Sequence, residues 1–481
     1  MRLLLMTMVL TALQLTGVAA AELASAVREP AVAGSFYPAE RRQLQEAVDA
    51  LLAAAATPPV EGELVALVVP HAGYPYSGAA AAHAYQRLRG MAIRRVILIG
   101  PAHRFPVSGA AIFSRGSWRT PLGTVPVDER LAAALLDETA GVTADPRPFA
   151  GEHSLEVQLP FLQRVLGEIA IVPVLVGSPT PATVASLTAR LARLLRTEPG
   201  TLLVCSTDLS HYHDAATAHA KDRLVVDAVQ RMAVKDLDRK LRHGQAEACG
   251  GWPLQLALTA ARGAGATTGV LYRYADSGET TGDHRQVVGY AAMGLYRTPL
   301  TATRRTELLR IARQTVNAYV AGRPLPELAC SDPRLAADGA AFVTLRGENG
   351  ELRGCIGAIQ PVEALCQSVR GNAIAAAARD YRFPPVRPDE LAGLDLEITV
   401  LSPLEPVATL DEIRIGTHGI YLEAGGTSSV FLPQVAPEQG WDLDTTLRQL
   451  SRKAGLPPEA WQSGRLYRFT AEIIHDAPSG R

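Results

Sequence analysis

Charge of one sign is what this chain lacks most. Over 481 residues the formal net charge is -1, and no run of like charges interrupts it. A global basic footprint for nucleic acid is therefore missing, and no nucleic-acid partner is expected. Cysteine is scarce. Cys205, Cys249, Cys330, Cys355 and Cys366 are five in all, too few and too odd a number for a disulfide framework. Long apolar runs are confined to the start, "MRLLLMTMVLTALQLTGVAAAELASA". One Arg, an uncharged apolar stretch and small residues at Ala19-Ala20-Ala21 form the pattern of a secretory leader. The expectation is a leader over residues 1–21, a mature chain from near Glu22, and an exported or periplasmic protein. A misread start would make it cytoplasmic, and Met8 is the last Met before Met91. No other segment is long and apolar enough to span a membrane. Export would leave free thiols open to oxidation.

What is present in quantity is apolar residue, 47% of the chain, enough for a sizeable core. The length allows two or three domains. Glu40 to Ala56 reads as an amphipathic helix. Strand-like runs follow at 64–69, 95–99, 169–176 and 201–206. Helical patterns lie at 78–88, 128–139, 181–196 and 215–233. Strands alternating with helices predict an α/β layered domain with a largely parallel or mixed sheet. Near residue 300 the pattern changes. A Pro/Thr linker runs into a new amphipathic helix, and short strands follow at 341–345, 396–401 and 429–432, separated by turn signals. A separate α+β domain of roughly 180 residues fits this pattern.

Histidines recur where the first domain's strands end. "VALVVPHAGYPYSG" places His71 just after Pro70, "RRVILIGPAHRF" places His103 after Gly100-Pro101, and "TLLVCSTDLSHYHD" places Asp208, His211 and His213 after Ser206. In open α/β sheets, ligands bind outside the carboxyl ends of strands. Converging neutral imidazoles suit iron, zinc or copper. A third ligand is sought in "QAEACGGWPLQLALTAARG". There Cys249 sits just ahead of a helix start, which favours its thiolate, and Glu247 is the other candidate. In "GEHSLEVQLPF", His153 and Glu156 are three apart at a helix start and so share a face. They read either as a pair that orients ligands or as a helix-start charge arrangement. Asp208 and His211 are candidates for an acid/base or orienting pair. His213, His219 and His243 read as solvated helix residues, and His83 as packing. In "ELRGCIGAIQP", Cys355 lies between two glycines and reads as a tight turn or a reactive thiol.

These stretches carry a resemblance. "PAVAGSFYPA", "PHAGYPYSG", "GPAHR", "WRTPLGTV", "EHSLEVQLPF", "DLSHY", "ACGGWP" and "YADSGETTGDHRQVVGYAA" resemble, in order, the Memo family. That family is similar in fold to the class III extradiol dioxygenases of the protocatechuate type. "LRGCIGAIQP", "ARDYRFPPV", "LEITVLSPLEPV" and "FLPQVAPEQGWD" resemble the AMMECR domain. The resemblance implies a Memo-like domain over residues 28–298 and an AMMECR-like domain over 304–475. Together they look like a fusion of the B and A components of the AmmeMemoRadiSam system. It further implies His71 and His103 as metal ligands, and His211 as acid/base with Asp208 beside it. Cys249 stands where the dioxygenases have a glutamate ligand, a departure that speaks against ordinary catechol cleavage. Iron or copper is the implied cofactor, and a radical SAM protein the implied partner. Two readings follow: a metal-dependent redox protein, or a non-catalytic pocket for a peptide or small molecule.

Overall fold

The structure, a computed structural model, describes residues 27–407 and 409–476. The expected leader lies outside the described residues. The chain divides into two compact units. One runs to Val229 and resumes over Val234–Tyr296; the other comprises Arg297 onward with Gln230–Ala233. Among the described residues no helix is long and apolar enough to cross a membrane.

The first unit is built on a nine-stranded sheet. Its strands are β1 (Glu63–Val69), β2 (Arg95–Pro101), β3 (Ala110–Ile112), β4 (Val142–Ala144), β5 (Ala170–Val176), β6 (Thr201–Ser206), β7 (His211–His213), β8 (Thr268–Asp276) and β9 (Val287–Arg297). The order is β7-β9-β1-β6-β2-β5-β3-β4, with β8 paired to β9. The four strands β1, β6, β2 and β5 run parallel. Their sequences are near-continuous Val/Ile/Leu runs because parallel strands are buried on both faces, and Val96 to Ile99 are fully buried. The helix Gly251–Gly263 packs against β1, β6 and β2 and beside the helix Pro181–Thr197. Thr180 caps the latter in a reciprocal capping box with Thr183, and Pro181 takes its first position, where a missing N–H costs nothing.

The second unit carries two four-stranded sheets. Leu352–Gly357, Ala340–Arg346, Asp395–Leu401 and Ala471–His475 form the first, in that order and antiparallel. The helices Ala302–Val320 and Leu365–Ala378 share its core through Leu308, Val316, Val343, Leu365, Val369 and Ile398. The second sheet pairs Gly419–Ala424 with Thr427–Phe431 and Arg465–Phe469. Two corrections to the sequence reading belong here. Cys355 is in mid-strand rather than in a turn, with Thr344 Oγ1 3.2 Å from its sulfur. Cys330 and Cys366 form a disulfide, 36 residues apart, with 6.4 Å between their Cα atoms; neither is a free thiol.

Candidate metal centre

The parallel register brings the site together. Val69 of β1 lies opposite Ser206 of β6, and Ile99 of β2 lies opposite Cys205. The loops that follow these strands therefore leave the sheet at one edge. They carry His71, Asp208 and His103. His71 is buried, and its backbone N–H donates to Asp208 Oδ1 at 2.7 Å.

His153 joins them from the loop ahead of the short turn Glu156–Gln158. One ring nitrogen from each of His71, His103 and His153 lies within 4.8 Å of the others. The ring centroids of His71 are 5.1 Å from His103 and 5.4 Å from His153, and the latter two stack at 4.9 Å. Burial, with the charge on the neighbouring histidines, pushes His71 down to about 3 and His153 down to about 4. Both rings are thus neutral lone-pair donors at neutral pH, as transition metals require of imidazole.

Hydrogen bonds settle which nitrogen of His71 carries the proton. Ser206 Oγ has a single proton. It donates that proton to the Ser154 carbonyl at 2.6 Å and accepts from Gln158 Nε2 at 2.9 Å. His71 Nδ1, 2.8 Å from the same oxygen, must therefore donate to it. The lone pair sits on Nε2, which faces Cys249 Sγ at 3.2 Å. His103 Nδ1 is 3.1 Å from Glu152 Oε1. His153 Nδ1 is buried without an aligned hydrogen bond, 3.3 Å from the same oxygen. A buried imidazole, His71, a partly buried one, His153, with an Nδ1 that has no aligned hydrogen bond, and a more exposed one, His103, converge as a donor set that fits a transition-metal ion.

Cys249 lies beside the triplet, ahead of the helix Gly251–Gly263 as the sequence placed it. Gly250 permits this: a Cβ there would come within 2.8 Å of Thr207. The expected thiolate is corrected, however. Burial, then the nearby Asp208 carboxylate, pushes the thiol up to about 12, outweighing donation from the Asp208 N–H at 3.2 Å. Asp208 is buried, which pushes its carboxyl up to about 6 against the opposing hydrogen bond from the His71 N–H. His211 donates from Nδ1 to the Leu209 carbonyl at 2.8 Å. Its neighbour Tyr212 holds a left-handed backbone at φ 60, a strained conformation of the kind found at functional sites.

Glu247, the other candidate ligand, is engaged elsewhere. It meets His213 Nε2 at 2.9 Å and Lys221 Nζ at 2.8 Å. Glu156 does not face the rings either, and its reading as a partner of His153 in orienting ligands is corrected. Its oxygens accept from Arg28 at 2.7 Å, the Ala31 and Val32 N–H groups at 2.8 and 3.0 Å, and the Tyr37 hydroxyl at 2.6 Å. It anchors the start of the domain. The carboxylate at the rings is Glu152, which the sequence reading missed, as it missed Ser206 and Gln158. His219 pairs with Asp276 at 2.6 Å. A cavity of about 450 Å³ adjoins the site, lined among others by His211, Glu247, Cys249, Trp252 and Gln255.

Comparison with known proteins agrees with this architecture. Residues 28–294 match the family described as Memo-like protein, and residues 309–474 match AMMECR1. A MEMO1 family protein of Aquifex aeolicus is 37% identical over 270 residues, covering 56% of this chain and 98% of the relative. One of Thermotoga maritima is 36% identical over 283 residues, covering 56% and 99%. An uncharacterized protein of Pyrococcus horikoshii of known crystal structure is 36% identical, covering 35% of this chain and 88% of its own, with a TM-score of 0.33. The chain belongs to the Memo-like family and carries an AMMECR1 domain behind its Memo domain.

Proposed function

We propose that the Memo domain holds one transition-metal ion, iron or copper, and acts as a metal-dependent redox protein. The observation that carries this reading is the convergence of His71, His103 and His153 within 4.8 Å. His71 and His103 are its central ligands, His153 is the third, and Cys249 reaches the ion from the His71 side. A bound redox-active ion would supply electron-transfer or dioxygen chemistry. The chain's own residues would handle protons. Asp208, with its carboxyl raised to about 6, exchanges a proton close to neutral pH, which suits acid/base work. His211 is held through Nδ1, so its Nε2 is the basic nitrogen available to a substrate. The cavity beside Cys249 and His211 supports a second reading, a non-catalytic pocket for a small molecule or peptide.

The presence of both domain types in one chain supports a place in the AmmeMemoRadiSam system, beside a radical SAM partner. The leader-like start and the Cys330–Cys366 bridge together support an exported or periplasmic location, since disulfides persist in oxidising compartments. The ligand assignment is tested by metal affinity under reducing, anaerobic conditions. His71→Ala and His103→Ala are expected to abolish tight binding. Cys249→Ser should weaken Cu(I) more than harder ions, because metal binding would release the thiol proton and the resulting thiolate selects soft metals. His211→Ala should keep the ion. If His71→Ala and wild type bind equally, the redox reading falls and the pocket reading stands.

A further inference from the structure

Resting on the metal reading, we propose that Glu152 is the positioning residue of the centre: one carboxylate that holds the ring of His103 and the main chain of His153 in place before any ion arrives.

Glu152 is 1% exposed, and its carboxylate meets the loops that bear the ligands. Oε2 accepts the His103 backbone N–H at 2.6 Å. Oε1 faces His103 Nδ1 at 3.1 Å and His153 Nδ1 at 3.3 Å. Oε1 also accepts the backbone N–H groups of His153 and Ser154, each at 2.9 Å. The group thus ties the main chain and the ring of His103 to the main chain of His153. Three backbone N–H groups already donate to its two oxygens, an arrangement that suits an ionised carboxylate acting only as an acceptor. An ionised carboxylate accepts hydrogen bonds and donates none. His103 Nδ1 must therefore carry the ring proton, and its lone pair sits on Nε2. His71 is set the same way by Ser206. The stacking of His103 on His153 at an interplanar angle of 21° follows from their common anchor.

The position of Glu152 is itself held by another residue. Arg28 donates from Nη2 to the Glu152 carbonyl at 2.6 Å and from Nε to the Phe149 carbonyl at 2.7 Å. Its guanidinium lies 4.1 Å from the centre of the Trp118 ring. The loop that bears Glu152 and His153 is thereby fixed at its back. A carboxylate behind a metal-bound histidine orients the ring and raises its basicity, and losing one lowers metal affinity about 10–100-fold.

The test uses the full-length protein and Co(II), whose visible spectrum reports ligand geometry. Glu152→Gln keeps the size of the side chain but turns an N–H toward the His103 ring or a backbone N–H. It should bind Co(II) about 10–100-fold more weakly, with altered visible bands; Glu152→Asp should recover part of the loss. A role confined to stability would lower the melting temperature and leave affinity and bands unchanged, and that result overturns the proposal. A second measurement needs no variant: nitrogen-detected NMR of the metal-free wild type should find the His103 ring proton on Nδ1. A proton on Nε2 overturns the proposal even if Glu152→Gln fails to fold. If wild type takes up no Co(II), the metal reading fails, while the NMR result still decides whether Glu152 sets the His103 ring.

Discussion

Burial acts in opposite directions on the two kinds of titratable group in the centre. It holds the His71 and His153 rings neutral, with values near 3 and 4 against an ordinary 6.5, and holds a proton on Asp208 up to about 6. Stability follows by linkage. Between pH 6.5 and 4 the unfolded chain binds protons on both histidines that the folded chain refuses. The folded chain keeps one on Asp208 that the unfolded chain releases. The unfolded state is therefore ahead by one proton, and metal-free protein should lose about 1.4 kcal/mol per pH unit as pH falls through this window. Chemical denaturation at several pH values checks this, with His153→Asn expected to flatten the slope; a wild type equally stable at pH 7 and pH 5 contradicts it. His71 and His103 were legible in the sequence because each lies within two residues of a proline that ends an apolar strand-like run. Glu152 was not, because an acid beside a histidine reads as a surface charge until the fold buries it.

Local geometry accounts for what the sequence misassigned among the elements. The reading of Glu156 as a neighbour of His153 assumed an α-helix running through both. Here a short 3-10 turn covers Glu156–Gln158 and the helix begins only at Leu159, so the two side chains diverge. The glycines around Cys355 read as a turn, yet they belong to a strand that needs them: a Cβ on Gly354 would meet the Ala376 carbonyl at 2.1 Å. The start of the domain, by contrast, has a structural task that no spacing rule reveals. Arg28 and Glu156 form an ion pair with both side chains almost fully buried. Removing one partner of such a pair leaves an uncompensated buried charge and costs about 3–5 kcal/mol. Arg28→Ala should therefore destabilise the Memo domain by that amount in denaturant titration and loosen the loop that holds His153. A loss below about 1 kcal/mol, the worth of a surface pair, would show that Arg28 is no anchor.

Over the whole chain, composition and the shift in pattern near residue 300 made two domains legible, but the disulfide was not. Cys330 lies in a loop and Cys366 on the helix Leu365–Ala378, and only folding brings them together. A bridge closing a loop of this length contributes about 3–4 kcal/mol, so reduction should destabilise the AMMECR1 unit by that amount; an unchanged transition under reductant contradicts this. A fragment ending near residue 298 and one beginning near residue 302 should each unfold cooperatively alone. At the strand ends of the Memo domain lies the proposed metal centre. It is tested most directly by the metal content of full-length protein purified without oxygen, measured by inductively coupled plasma mass spectrometry beside His71→Ala. One iron or copper ion per wild-type chain is expected, and none in the variant. Equal content in the two, or no metal in either, would contradict it.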